Sequence, residues 1–268
     1  MTTRTVPFVK MEGAGNDYVH VDALRHPFPL DRAPEFARRW SDRHRGIGAD
    51  GLIVLLRGER APVRMAMWNA DGSRGAMCGN GLRCVARLAF EHGHVGARRF
   101  DVETDSGPRT CELLDGDRVC TAMGVIRCDD PVELSLGGRR VVVVPGDAGN
   151  PHAVVFVADV ETAPVHEVGG ALQRHARFPD GVNVEFVQVL APDRLRQRTF
   201  ERGSGETLAC GTGAAVAATA ARARGSVTAP RVAIELRGGT LFAVGDGSSL
   251  ALEGPARSVF RGEIAFAD

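Results

Sequence analysis

The pattern cysteine-glycine-x-glycine occurs twice, as Cys78-Gly79-Asn80-Gly81 and Cys210-Gly211-Thr212-Gly213, with 132 positions between the thiols in a chain of 268 residues. Other landmarks recur at nearly the same offset. Ala14-Gly15-Asn16 returns 134 positions later as Ala148-Gly149-Asn150, and nine places before each thiol stands a polar residue, Asn69 in one case and Glu201 in the other. A repeat on this scale constrains the chain to two similar domains of about 130 residues, a usual domain size.

Short β-like runs separated by glycine turns fill both halves: 52–56, 63–68, 141–144, 153–157, 184–189, 231–236 and 241–244. Amphipathic helices are predicted over Pro34 to Asp42 and Pro164 to His175, at comparable places in the two repeats. The segments after the thiols read differently. Ala214 to Ala221 is small and apolar all round, so a helix there must be buried. Leu82 to Glu91 is its counterpart, with Arg83 and Arg87 giving it more polar character. Two narrow central helices, each wrapped by its own strands, account for the small side chains and the strand count, with the boundary between halves near Met123 to Pro131.

Basic and acidic residues balance at 33 each, so a nucleic acid or an anionic membrane has no charge excess to attract. The first residues form no apolar signal region and no run is long enough to span a bilayer, which reads as a cytoplasmic chain acting on a small molecule. The six cysteines include no C-x-x-C, and their gaps make no zinc-ligand pairs, so no metal is expected from them. Cys111, Cys120 and Cys128 read as small buried hydrophobes.

A cysteine at a helix N-terminus feels unpaired backbone N–H groups and the positive end of the dipole, which lower its pKa from about 8.5 toward the physiological range. The flanking glycines leave those N–H groups open as a cradle for an anion. Two such helix starts facing one carboxylate would set two thiols on opposite sides of the adjoining carbon, as a racemase or epimerase needs. The backbone N–H groups of Gly79, Asn80, Gly211 and Thr212 are the candidates to stabilise the enolate-like carboxylate. Lys10 is the only lysine and no glycine-rich phosphate cup precedes a lysine, so a cofactor such as pyridoxal phosphate is hard to place, and none is expected.

Gly13-Ala14-Gly15-Asn16-Asp17, Asn69-Ala70-Asp71-Gly72-Ser73, Met77-Cys78-Gly79-Asn80-Gly81, Gly149-Asn150-Pro151-His152, Asn183-Val184-Glu185-Phe186 and Glu201 to Gly213 together resemble the diaminopimelate epimerase family nearly end to end. The resemblance implies an α+β fold of two pseudo-symmetric domains, each a mixed, barrel-like sheet around a central helix, spanning 1–122 plus 256–268 and 123–255. It implies a cofactor-free isomerase on the route to lysine and peptidoglycan precursors, with Cys78 and Cys210 as bases. His152 and Glu201 would support proton transfer, and Asn16, Asn69, Asn150, Asn183 and Arg202 would hold the distal groups of diaminopimelate. A homodimer is also implied.

The residues alone leave more open. Asparagine beside glycine is commonly a turn residue, adjacent Glu201 and Arg202 can be a solvated pair, and a lone histidine such as His152 is often structural. The chain also departs from the pattern of some members, which carry Gln at the position of Gly51, opposite Asn183 in the repeat. A histidine racemase is the nearest rival. Proline racemases typically carry His where Asn80 stands. Paired thiols could instead form a redox switch or a thiol peroxidase, and an amino-acid binding module is the third reading.

Overall fold

The computed structural model describes residues 3–245 and 249–267. It divides into two units, one running to Thr121 and completed by the stretch from Gly254, the other Ala122–Glu253. In chain order the first part holds β1 (Thr3–Gly13), β2 (Asn16–Asp22), α1 (Ala33–Ser41), β3 (Gly51–Arg57), β4 (Val63–Asn69), β5 (Arg74–Gly75), α2 (Gly79–Glu91), β6 (Arg99–Glu103), β7 (Arg109–Leu113) and β8 (Arg118–Gly124). The next holds β9 (Arg127–Cys128), β10 (Val132–Leu136), β11 (Arg139–Asp147), β12 (Pro151–Phe156), α3 (Val165–Gln173), β13 (Asn183–Ala191), β14 (Arg194–Glu201), β15 (Gly205–Thr207), α4 (Gly211–Ala223), β16 (Arg231–Leu236), β17 (Gly239–Val244) and β18 (Leu250–Pro255). The last strand, β19 (Arg257–Ala267), pairs antiparallel with β1.

The two units repeat one pairing scheme. In the first, β1 and β2 are antiparallel, β2 and β3 parallel, β3 and β4 antiparallel, and β4 runs parallel to β6. In the second, β11 and β12 are antiparallel, β12 and β13 parallel, β13 and β14 antiparallel, and β14 runs parallel to β16. Register makes the match residue by residue. Tyr18 lies beside Gly51 in one parallel pair, and His152 beside Asn183 in the other.

The run Leu52-Ile53-Val54-Leu55 is apolar without alternation because both faces of β3 are covered. Ile53 and Leu55 pack with Leu82, Val85 and Leu88 of α2, while Leu52 and Val54 pack with Phe36 and Trp40 of α1. In the second unit α3 covers the outer face, with Val168 and Leu172 against Val155, Val184 and Phe186. From Ala214 to Ala218, α4 is 0% exposed at every position, so only small side chains fit there. Both thiol helices have 13 residues, and α2 begins at Gly79, three residues before the apolar run that betrays it in sequence.

One reading of α2 changes. Arg83 gives the helix no solvent-facing polarity, since it is 0% exposed. Its Nε donates to the Pro255 carbonyl at 3.2 Å and its Nη2 to Asn80 Oδ1, so a buried guanidinium braces the first turn of the helix against the stretch leading to β19. None of the six cysteines forms a disulfide. Burial pushes the Cys84 thiol up to about 12, so it stays neutral within the α2 core.

Candidate active site

In the first unit, Cys78 takes an extended conformation (φ −133°, ψ 120°) as the N-cap of α2, and its carbonyl accepts the Leu82 N–H at 2.8 Å. The N–H groups of the first turn have no intrahelical acceptor, as at every helix start. The Cys78 sulfhydryl donates to Asn16 Oδ1 at 3.1 Å, and the Asn80 amide reaches the same oxygen at 3.4 Å. Asn16 is fixed in turn by donating to Asp50 at 2.6 Å. Tyr18 is buried beside the thiol. Burial, and then the neighbouring Cys78 sulfur, push its phenol well above the ordinary range. Asn69 stands apart from this group, exposed at the end of β4, where its amide donates to Ser73 Oγ at 2.9 Å.

In the second unit, Cys210 has the same extended cap conformation (φ −120°, ψ 113°) before α4. Its sulfur accepts the Gly213 N–H at 3.4 Å and lies 3.5 Å from the Thr212 hydroxyl. His152 is fully buried between two partners, Glu185 Oε1 at 2.8 Å from Nδ1 and Asn150 Oδ1 at 3.0 Å from Nε2. Glu201 Oε1 accepts the Thr207 hydroxyl at 2.5 Å. Asn183 accepts the Arg202 N–H at 2.9 Å, while the exposed Arg202 guanidinium donates to the Asp180 carbonyl at 3.0 Å. Within this unit Cys210, Thr212, His152, Asn150 and Glu185 form one constellation, and Asn183 anchors the loop that presents Arg202.

The thiol chemistry at Cys210 differs from the expectation. Its pKa is raised well above the ordinary thiol range, first by burial and then by the Glu201 and Glu185 carboxylates, which outweigh the bonds from Thr212 and Gly213. Cys210 therefore rests as a thiol at neutral pH. Because the folded value lies above the unfolded one, the associated stability is present below about pH 8.5 and is lost as pH rises further.

Three residues of this environment escape the sequence reading. Tyr18 is the structural counterpart of His152, by the register that sets each beside Gly51 or Asn183. The signal was available, because the 134-residue offset between Asn16 and Asn150 also carries Tyr18 onto His152. Glu185 and Arg83 are the others, each fully buried within a few residues of a thiol helix start or its strand neighbour.

The absent side chain at Gly51 has a steric cause. A Cβ there would stand 2.2 Å from the Trp68 carbonyl oxygen and 3.0 Å from Tyr18 Cε1, so no glutamine can occupy the position on this backbone. Gly51→Ala is expected to destabilise the first unit by roughly 1–3 kcal/mol or more, since the clash is with main chain. Urea unfolding with an unchanged midpoint would refute that account.

The same two-domain fold is found in solved proteins. A phenazine biosynthesis protein of the PhzF family from Bacillus anthracis superposes with a TM-score of 0.77 at 16% identity, over 97% of this chain and 99% of that one. A hydroxyproline epimerase from Agrobacterium vitis superposes with 0.69 at 18% identity, over 99% and 94%. The fold thus defines a class, two-domain α+β proteins built as a doubled unit, and in this chain each of the repeated helices is capped by a cysteine.

Within that class, the family model for diaminopimelate epimerase matches residues 8–128 and 146–257. A diaminopimelate epimerase from Aromatoleum aromaticum is 44% identical over 96% of this chain and 98% of its own length, and one from Geobacillus kaustophilus is 41% identical over 97% and 96%. The chain belongs to the diaminopimelate epimerase family, and is an isomerase.

Proposed function

We propose that this chain interconverts LL- and meso-2,6-diaminopimelate by two-base proton transfer without a cofactor, with Cys78 and Cys210 as the acid–base pair. One thiolate takes the α-proton, the electron pair passes into the α-carboxylate, and the opposite thiol returns a proton to the other face. The thiol and the thiolate exchange places, so nothing is consumed. The observation that carries this reading is the repetition itself: each unit sets a cysteine at the N-cap of a 13-residue helix that opens Gly-x-Gly.

In this scheme the N–H groups of Gly79, Asn80, Gly211 and Thr212 receive the charge that develops on the carboxylate. His152 and Glu201 support proton transfer at Cys210. Asn16, Asn69, Asn150, Asn183 and Arg202 hold the distal amino and carboxylate groups, with Arg202 able to grip a carboxylate bidentately. The reading extends to a cytoplasmic homodimer supplying lysine and peptidoglycan precursors. Among the described residues no helix is long and apolar enough to cross a membrane.

The test is solvent exchange. Purified protein given LL-diaminopimelate in D₂O should place deuterium at Cα as the meso isomer forms, with no added cofactor. L-histidine under the same conditions should not exchange. Exchange with histidine and none with diaminopimelate would overturn the substrate, and absence of exchange with both would overturn the chemistry.

A further inference from the structure

At the far end of α2 from Cys78, the helix closes in a Schellman motif. The Gly93 N–H reaches the Phe90 carbonyl at 3.0 Å, and the His94 N–H reaches that of Ala89 at 2.9 Å. Gly93 supplies the left-handed residue (φ 74°), which leaves His92 and His94 on either side of it. Both rings turn to one atom. His92 Nδ1 and His94 Nε2 each lie 2.7 Å from Asp22 Oδ2, at the end of β2, and the three side chains are only 15%, 16% and 5% exposed. The other carboxylate oxygen is already engaged, accepting the Leu24 and Arg25 N–H groups at 3.0 and 3.2 Å.

Neither the thiols nor the diaminopimelate chemistry uses this group. We propose that Asp22, His92 and His94 form a binding site for a transition-metal ion of the Zn²⁺ class, a clamp that ties the end of β2 to the C-terminal end of α2. The donor atoms lie within 4.8 Å of one another. Around a tetrahedral ion with ligands near 2.0–2.2 Å they would stand about 3.3 Å apart, so each 2.7 Å contact opens by roughly half an ångström. Two imidazoles and one carboxylate select Zn²⁺, Co²⁺ or Ni²⁺ over Mg²⁺ and Ca²⁺, and leave a fourth position for water.

Three further observations favour a cation here. The C-terminal end of a helix dipole attracts positive charge. Asp22 and His92 line an open cleft of about 400 Å³ together with His26 and His20, which leaves room for a fourth ligand from solvent. The pseudo-symmetric corner of the second unit already holds a cation. There Arg224, the C-cap of α4 as His92 is of α2, sets its guanidinium 4.1 Å from the centre of the Phe156 ring, at the end of β12 as Asp22 ends β2. Arg25 is the competing charge in the first unit, 3.7 Å from Asp22 Oδ2 and about half exposed, and its Nη2 is already taken by the His92 carbonyl.

With α2 about 20 Å long, such an ion would act on stability and not on the reacting carbon. The experiment uses tag-free, full-length protein stripped with chelator, in a Cys78→Ser/Cys210→Ser background that removes the catalytic thiols as ligands. Calorimetric titration with ZnCl₂ should give one equivalent bound at micromolar affinity or tighter, with a raised Tm. His92→Ala and His94→Ala should each weaken binding at least 10-fold, whereas His44→Ala, at an exposed histidine elsewhere, should not. The Co²⁺-loaded protein should show a nitrogen- and oxygen-ligated spectrum without sulfur charge-transfer bands, a readout that stands even where a histidine variant folds poorly. No binding at 100 μM Zn²⁺, undiminished binding in both histidine variants, or sulfur ligation of the Co²⁺ ion would overturn the proposal.

Discussion

Cys210→Ser is expected to lower the rate of LL-to-meso conversion by about 10³-fold, within the range a positioned general acid or base contributes. A serine hydroxyl fits the space but neither gives nor takes a proton readily at neutral pH. Cys78→Ser should cost a similar factor. The more telling readout is the residual reaction. With one thiol intact, a proton can still leave and return on the same face, so each single variant should wash solvent deuterium into one stereoisomer faster than it inverts it. A thiol peroxidase or a redox switch predicts no such split. Conversion at the wild-type rate in either variant would remove the two-base scheme.

The second large effect is expected at Glu185. Both members of the His152–Glu185 pair are 0% exposed, 2.8 Å apart. Glu185→Ala strips His152 of its Nδ1 partner inside the core, and leaving a buried polar group without its hydrogen-bond partner costs about 1–3 kcal/mol. The corresponding fall in Tm is roughly 5–10 °C for a domain of this size. Glu185→Gln keeps an acceptor of the same shape and should lose far less. It also withdraws one of the two carboxylates that raise the Cys210 thiol. The sign follows from charge: with less negative potential nearby the thiolate is favoured, so alkylation of Cys210 should set in at lower pH in Glu185→Gln than in the wild type. Differential scanning calorimetry and pH-dependent labelling measure the two effects. Equal losses of Tm in the Gln and Ala variants would refute the hydrogen-bond account, and an unshifted labelling profile would refute the electrostatic one.

These residues also mark the limit of what the sequence discloses. The twin thiols were legible because a short glycine motif repeated at the offset of a whole domain, and the buried helix after Cys210 because its residues leave no polar face. Glu185 was not. It sits between Val184 and Phe186 in a strand, and only the parallel pairing of β13 with β12 brings it to His152, 33 residues earlier. Arg83 hid for a related reason, since its acceptor at Pro255 lies 172 residues away. The raised Cys210 thiol shows a local rule overruled by tertiary context. A helix start favours the thiolate, but burial and two carboxylates from neighbouring strands act more strongly at the same atom. Gly51 stands where some family members carry Gln, and only the fold discloses that the Trp68 carbonyl beside it excludes any side chain at all.

The return of β19 to β1 bears on how the molecule is made. Thr3 pairs with Ala267 and the two strands stay in register, with one bulge, to Glu12 and Arg257. The first unit to leave the ribosome is therefore the last to be finished, because one neighbour of β1 is not synthesised until the whole second unit has emerged. Contacts of such sequence separation form slowly. Until then β1 offers an unpaired edge to other nascent chains. Joining residue 267 to residue 3 through a short linker, and reopening the chain near Ala122, would let both units be completed in the order in which they are translated.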